Sequence, residues 1–237
     1  MSIAEKLTTI AENLPKVYDS GVEQGEGNVW DIIQGVGGTR TIYDSGFKAW
    51  KTEYIRPKYK VVPNRTGDSN LRFVFECSNL KKVESEYFDF SNITFNPIAS
   101  NSQCIYGFFR ACSRLEEIED IGIGAGGYYH TFNKCEKLHT IAVMRCVKEG
   151  TYQAPFTNCY ALKNITIEGE IGNNISFQYS PLLTIESLRS IFSALYDFVG
   201  NGETTTSTIT LHKDAYDRTP EEVIEEAKGK GWSVVVA

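Results

Sequence analysis

The stretch FNKCEKLHTI at residues 132–141 and the stretch FTNCYALKNI at residues 156–165 carry one pattern. An aromatic residue is followed after three positions by cysteine, after three more by leucine, and after a further three by isoleucine. The pattern occurs twice more upstream, as Phe109-x-x-Cys112-x-x-Leu115-x-x-Ile118 and as Val74-x-x-Cys77-x-x-Leu80-x-x-Val83. Successive cysteines are 35, 23 and 24 residues apart. A worn copy, Phe177-x-x-Ser180-x-x-Leu183, follows Cys159 after 21 residues. A unit that recurs in this way cannot bury its own apolar face and stacks on its neighbours instead.

A period of roughly 20–29 residues is that of leucine-rich repeats. Each coil of such a stack buries one aromatic ring, one small soft residue and two aliphatics. The expected core is therefore Val74, Cys77, Leu80, Phe109, Cys112, Leu115, Phe132, Cys135, Leu138, Phe156, Cys159 and Leu162. Cysteine suits its position because a free thiol packs as a small hydrophobe. The four repeat cysteines are expected to be reduced and to lie in one buried column. Leu162, Ile165 and Ile167 read as the strand of a coil, and the Phe-x-x-Cys part as the tight helical turn before it. The long first gap, which holds Tyr87 to Phe90 and Asn92 to Phe95, leaves room for an extra strand and loop.

The flanks read differently. Ser2 and Glu5 form a capping box. Ile3, Leu7, Ile10, Leu14 and Val17 step by four and three, an apolar seam about two heptads long that Pro15 interrupts. Gly21, Gly25 and Gly27 follow. So short a helix is marginal alone. Its apolar face either takes a partner, as an attachment or oligomerisation device, or folds back as a cap on the first coil. Downstream of Thr184, the residues Ile185, Leu188, Ile191, Phe192, Leu195 and Phe198 have helical spacing up to Gly200. Thr204–Leu211 alternates as a strand, Thr219 and Pro220 open a second helix that ends near Gly229, and Trp232–Val236 reads as a last strand. The expected organisation is an α/β repeat: residues 1–27 a helical attachment segment, 28–70 a linker and N-terminal cap, 71–183 a short solenoid, and 184–237 a helix–strand–helix–strand cap.

Composition narrows the chemistry. The chain has 237 residues and a formal net charge of −6, which argues against a nucleic-acid footprint. Its 13 Phe, 13 Tyr and 3 Trp exclude disorder of the whole chain. No apolar run is long enough to span a bilayer, so membrane insertion is not expected. Gly122, Gly124 and Gly127 match the dinucleotide fingerprint by letters, but the junction between two repeats lacks the strand–turn–helix that motif needs, and it reads as a turn. His130, Cys135, His139 and Cys146 fit no familiar zinc spacing. Glu116, Glu117, Glu119 and Asp120 lack the spacing of a calcium loop and read as a solvated strand face. No metal, cofactor or catalytic residue is expected. Tyr106, Tyr128, Tyr129 and Tyr152 recur six or seven residues before the repeat cysteines. Stacking would align them as a contact surface or as a second core ladder.

The motif F-x-x-C-x-x-L-x-x-I resembles the BspA-type leucine-rich repeats of bacterial surface and phage proteins, over residues 71–183. The flanking segments IAENLPKVYDSGVEQG (10–25), VWDIIQ (29–34), SPLLTIESLRSIFSAL (180–195) and KGKGWSV (228–234) are similar to structural proteins of phages and prophages of Firmicutes, placed among tail or baseplate genes. The resemblance implies a BspA-like solenoid in a non-enzymatic virion component, assembled in the host cytoplasm. It implies that the chain docks on other virion proteins through its N-terminal segment, forms a homo-oligomer and displays a surface to a host glycan or protein. A bacterial adhesin or protein-interaction module of the same repeat class is the alternative. A glycan-degrading enzyme would need a carboxylate pair that the sequence does not offer.

Overall fold

The computed structural model describes residues 38–44, 49–55, 75–88, 107–120 and 128–237. The expected N-terminal seam from Ile3 to Val17, the glycines at 122–127, Val74 and Tyr106 lie outside these residues. Two compact units divide the chain, Met1–Tyr59 with Ser78–Lys81, and Lys60–Cys77 with Lys82–Ala237. In the first unit, β1 (Gly38–Asp44) and β2 (Ala49–Ile55) pair antiparallel, from Gly38 opposite Ile55 to Asp44 opposite Ala49. A regular hairpin thus falls inside the stretch that reads from sequence as linker and cap. β-Branched and aromatic residues at Thr39, Thr41, Ile42 and Tyr43 suit a strand.

The second unit is α/β, with parallel sheets. β3 (Lys82–Val83), β4 (Glu117–Asp120), β5 (Thr140–Cys146) and β6 (Asn164–Gly169) lie side by side in chain order. Their register joins the last letters of the motif: Val83 is opposite Ile118, Ile118 opposite Ile141, and Ile141 opposite Ile165. All four are buried, as are Leu80, Leu115, Leu138 and Leu162. The aromatic letter forms a column of near-parallel rings. Centroids are 5.5 Å apart for Phe75 and Phe109, 6.0 Å for Phe109 and Phe132, 5.5 Å for Phe132 and Phe156, and 4.8 Å for Phe156 and Phe177.

The cysteine letter does more than fill space. The thiol of Cys112 donates to the carbonyl of Phe75, that of Cys135 to Phe109, and that of Cys159 to Phe132, at 2.9–3.1 Å. The carbonyls of Phe109 and Phe132 also accept the N–H groups of Cys112 and Cys135, so the thiol is a second donor that ties each coil to the one before it. Backbone bonds run the other way across the turns. Phe109 N–H reaches Thr131 O, Ala111 N–H reaches Asn133 O, Phe132 N–H reaches Pro155 O, and Lys134 N–H reaches Thr157 O. The residues two before and two after the aromatic have positive φ: Gly107 and Ala111, His130 and Lys134, Ala154 and Asn158. Five of these six are not glycine, and each accepts a conformation that costs an L-residue about 1–2 kcal/mol.

The first coil corrects the sequence reading. Phe75, not Val74, takes the aromatic place, and its ladder bonds are Phe75 N–H to Phe108 O and Cys77 N–H to Arg110 O. Cys77 therefore falls two after the ring, at φ 58°, and is exposed. The place of the buried cysteine goes to Ser78, 5 % exposed. This coil is one residue shorter between ring and leucine, so letter-matching on cysteine slips by one.

The segment beyond the fourth strand forms a second parallel sheet, in the order β7 (Ile175–Phe177), β8 (Ser207–Leu211), β9 (Trp232–Val236). The worn fifth copy is at once the end of the ring column, through Phe177, and the first strand of this sheet. Three helices connect the strands: α1 (Ile185–Ser193), α2 (Lys213–Arg218) and α3 (Glu221–Gly229). α1 stops well before Gly200; Leu195 and Phe198 are buried, but in the irregular chain after it. α2, capped by His212, is an element the spacing did not suggest.

α1 also closes the edge of the first sheet. Its hydroxyls at Ser187 and Ser190, one turn apart, accept from the N–H groups of Ile165 and Ile167 at 2.9 Å. Ser187 Oγ in turn donates to Lys163 O at 3.1 Å. Two side chains thus stand where the carbonyls of a further strand would be.

Two substitutions probe this core. Phe132→Ala removes a ring stacked on both sides and is expected to lower stability by about 3–5 kcal/mol in urea denaturation. Ala154→Gly has the opposite expected sign: at φ 48° glycine relieves strain, and the midpoint should rise by up to about 1 kcal/mol equivalent. An unchanged or lowered midpoint would contradict the conformational argument.

Candidate functional site

The outward face of the first sheet is polar by alternation, since the residues between the buried isoleucines point to solvent. Register sets Lys82, Glu117, Thr140 and Asn164 in one row. Lys82 Nζ pairs with Glu117 Oε2, and Asn164 Nδ2 donates to Thr140 Oγ1 at 3.3 Å. In a second row Arg145 bridges two strands, pairing with Asp120 and, at 3.3 Å through Nε, with Glu168. The hydrogen bond to Glu117 raises the pKa of Lys82, and that to Asp120 raises the pKa of Arg145. Glu119 Oε2 accepts from Ser85 N at 2.9 Å. Of the acidic run, Glu117 and Asp120 are thus paired with cations of neighbouring strands.

Where this face meets α1 there is an open groove of about 270 Å³. Ala142, Asn164, Thr166, Thr184 and Glu186 are among the residues that line it. The amide, hydroxyls and carboxylate of this set offer hydrogen bonds of both senses. The arrangement suits binding of a polar group.

The tyrosines expected as a contact column divide. Tyr128 and Tyr152 are 1 % and 2 % exposed and stack with centroids 6.3 Å apart. Tyr128 O–H donates to Arg145 O at 2.7 Å; Tyr152 O–H donates to Val147 O at 2.6 Å and accepts from Val147 N. With both hydroxyls satisfied by backbone at the end of β5, the phenols can be buried, and they form a second core ladder, not a contact surface. Burial raises the pKa of each. Tyr129 is half-buried, edge-on to the His130 ring at 4.7 Å.

Burial likewise raises the thiols. Cys146 is pushed up to about 12, and Cys135 and Cys159 are raised as well. Such thiols stay protonated near neutrality and are poor nucleophiles. Among the described residues no three His, Cys, Asp or Glu side chains converge as metal ligands, the suggested His130–Cys146 set included. Among the described residues no helix is long and apolar enough to cross a membrane.

A cluster that sequence spacing missed joins residues 55 apart. Lys148 Nζ pairs with Glu203 Oε1 at 2.7 Å and lies 4.0 Å from the centre of the Tyr196 ring, whose hydroxyl donates to the same Glu203 oxygen. The bonds from Lys148 and then Tyr196 hold the Glu203 carboxyl below its ordinary range, and the bond to Glu203 raises Lys148 to about 12. The clasp ties the loop after β5 to the loop after α1.

No family model, curated protein or solved structure matches the chain.

Because the folded pKa of Glu203 is depressed, its contribution to stability is present above the unfolded value of about 4.3 and is lost as pH falls through the folded one. Glu203→Gln should therefore flatten the acid limb of the stability–pH curve below about pH 4 and lower stability at neutral pH. Parallel curves for the two proteins in urea titrations would refute the clasp.

Proposed function

We propose that the stacked coils are a leucine-rich-repeat solenoid of the BspA-like kind, closed by residues 184–237, in a non-enzymatic structural protein of a phage tail or baseplate. In this reading the N-terminal segment docks the chain on other virion proteins, and the outward sheet face is displayed to a host glycan or protein. The observation that carries it is the register. From the second coil to the fourth the same ring, thiol and aliphatic letters recur in stacked columns, which supports a regular scaffold with a polar strand face and a groove beside it. Buried, raised thiols and neutralised carboxylates suit a scaffold better than a reaction centre.

Immunogold labelling of purified particles with an antibody to this chain tests the reading. Label confined to the tail or baseplate is the expected result. Absence of the chain from particles by mass spectrometry, with label on the cell envelope, would sink it in favour of an adhesin.

A further inference from the structure

The two parallel sheets end differently. On the first, Ser187 and Ser190 of α1 accept from amides of β6 and close its edge. On the second, β9 is the outer strand. Its pairing with β8 runs without a bulge, from Ser207 opposite Trp232 to Leu211 opposite Val236. In a parallel ladder alternate residues turn both N–H and C=O toward the same neighbour. Ala237 N–H bonds Leu211 O at 3.0 Å, so Ser233, Val235 and Ala237 face β8, while Val234 and Val236 face outward. Among the described residues, neither the N–H nor the C=O of Val234 or Val236 has a hydrogen-bond partner. Proteins blunt such an edge with charge, proline or a bulge, and residues 232–237 carry none of the three.

Exposed valines mark the same strand. Val235 is 44 % exposed and Val236 43 %, on opposite faces. A surface laid on one face would cover only one of them. A strand laid along the edge gives each a neighbour on its own face. We infer that this strand is β9 of a second copy, paired antiparallel across a two-fold axis through the outward N–H and C=O groups of Val234 and Val236. A second copy suits the edge because residues 232–237 hold no charge: two identical strands bring no like charges into opposition. A charged foreign segment would find no counter-charge among them. The valines are β-branched, and such side chains pair well across strands. The contact is isologous, so it closes: the sheets of the two copies become one, and neither β9 edge is left open for a third. It rests neither on the virion reading nor on the N-terminal segment.

Sedimentation velocity and amide hydrogen exchange of the full chain, each over a dilution series, test the pairing. The expected result is a monomer–dimer equilibrium with no larger species. The amides of Val234 and Val236 should exchange slowly in the dimer and fast on dilution, while those of Val235 and Ala237, which face β8, stay protected throughout. Val234→Pro removes an outward N–H that the fold of one copy does not use, and it should abolish the dimer while the melting curve stays near native. Val236→Lys sets a charge on the edge and provides a second route if the proline variant misfolds. A chain that stays monomeric, or one that grows past the dimer, would overturn the inference. So would association that leaves the Val234 and Val236 amides fast, which puts the contact elsewhere, or slow exchange of both at every dilution, which means the chain covers its own edge.

Discussion

One contact governs the rest: a phenylalanine ring lying flat on the same ring of the next coil. From Phe75 to Phe177 the spacing stays within van der Waals reach, and that spacing dictates the separation of everything else in the stack. Strands pair, thiols reach carbonyls and turn amides reach the neighbouring turn because the coils repeat at a spacing that the rings and the strands share. The strained φ values follow from the same constraint. His130, Lys134, Ala154 and Asn158 are bent into the left-handed region where the chain passes the ring closely and still bonds its neighbour. Strain of this kind persists where surrounding contacts over-determine it.

Cysteine at the second letter is best understood against that frame. A column beside the rings has room for a small side chain and contains one carbonyl per coil pointing into it. Alanine would fit but make no bond to that carbonyl; a thiol fits and adds a second donor to it. Ser180 fills the same position in the fifth copy, fully buried, with its hydroxyl directed to Cys159 O at 3.5 Å. Ser78, also buried, stands there in the first coil in place of the expected Cys77, so the position takes a small polar residue as well as sulfur.

How much was legible follows from this. On coils two to four the four letters were read correctly because ring, donor and aliphatics are all side-chain properties at fixed offsets. On the first coil a missing residue shifts the turn while the strand keeps its place, and a cysteine one position early, at 77 and not 78, disguises the slip. Tyr128 and Tyr152 were undecidable from spacing, since their burial depends on carbonyls 17 and 5 residues away that any residue could supply. The last strand and the helix at Glu221 were readable from local signals, Pro220 and the alternation of Trp232–Val236. The short helix capped by His212 was not, and neither was the Lys148–Glu203 clasp, whose partners meet only after the second sheet forms.

The serines of α1 bear on how such a protein changes length. Coils two to four carry the same buried letters above and below, so duplication of one of them keeps ring, thiol and strand in register. Ser187 and Ser190 end that equivalence, because the strand they cover has no amides left to offer a newcomer at those two positions. Growth by repeat duplication is therefore confined to the interior of the stack, and the terminator travels outward unchanged. A longer relative would be recognised by an unaltered Ser–x–x–Ser helix following whichever coil happens to be last.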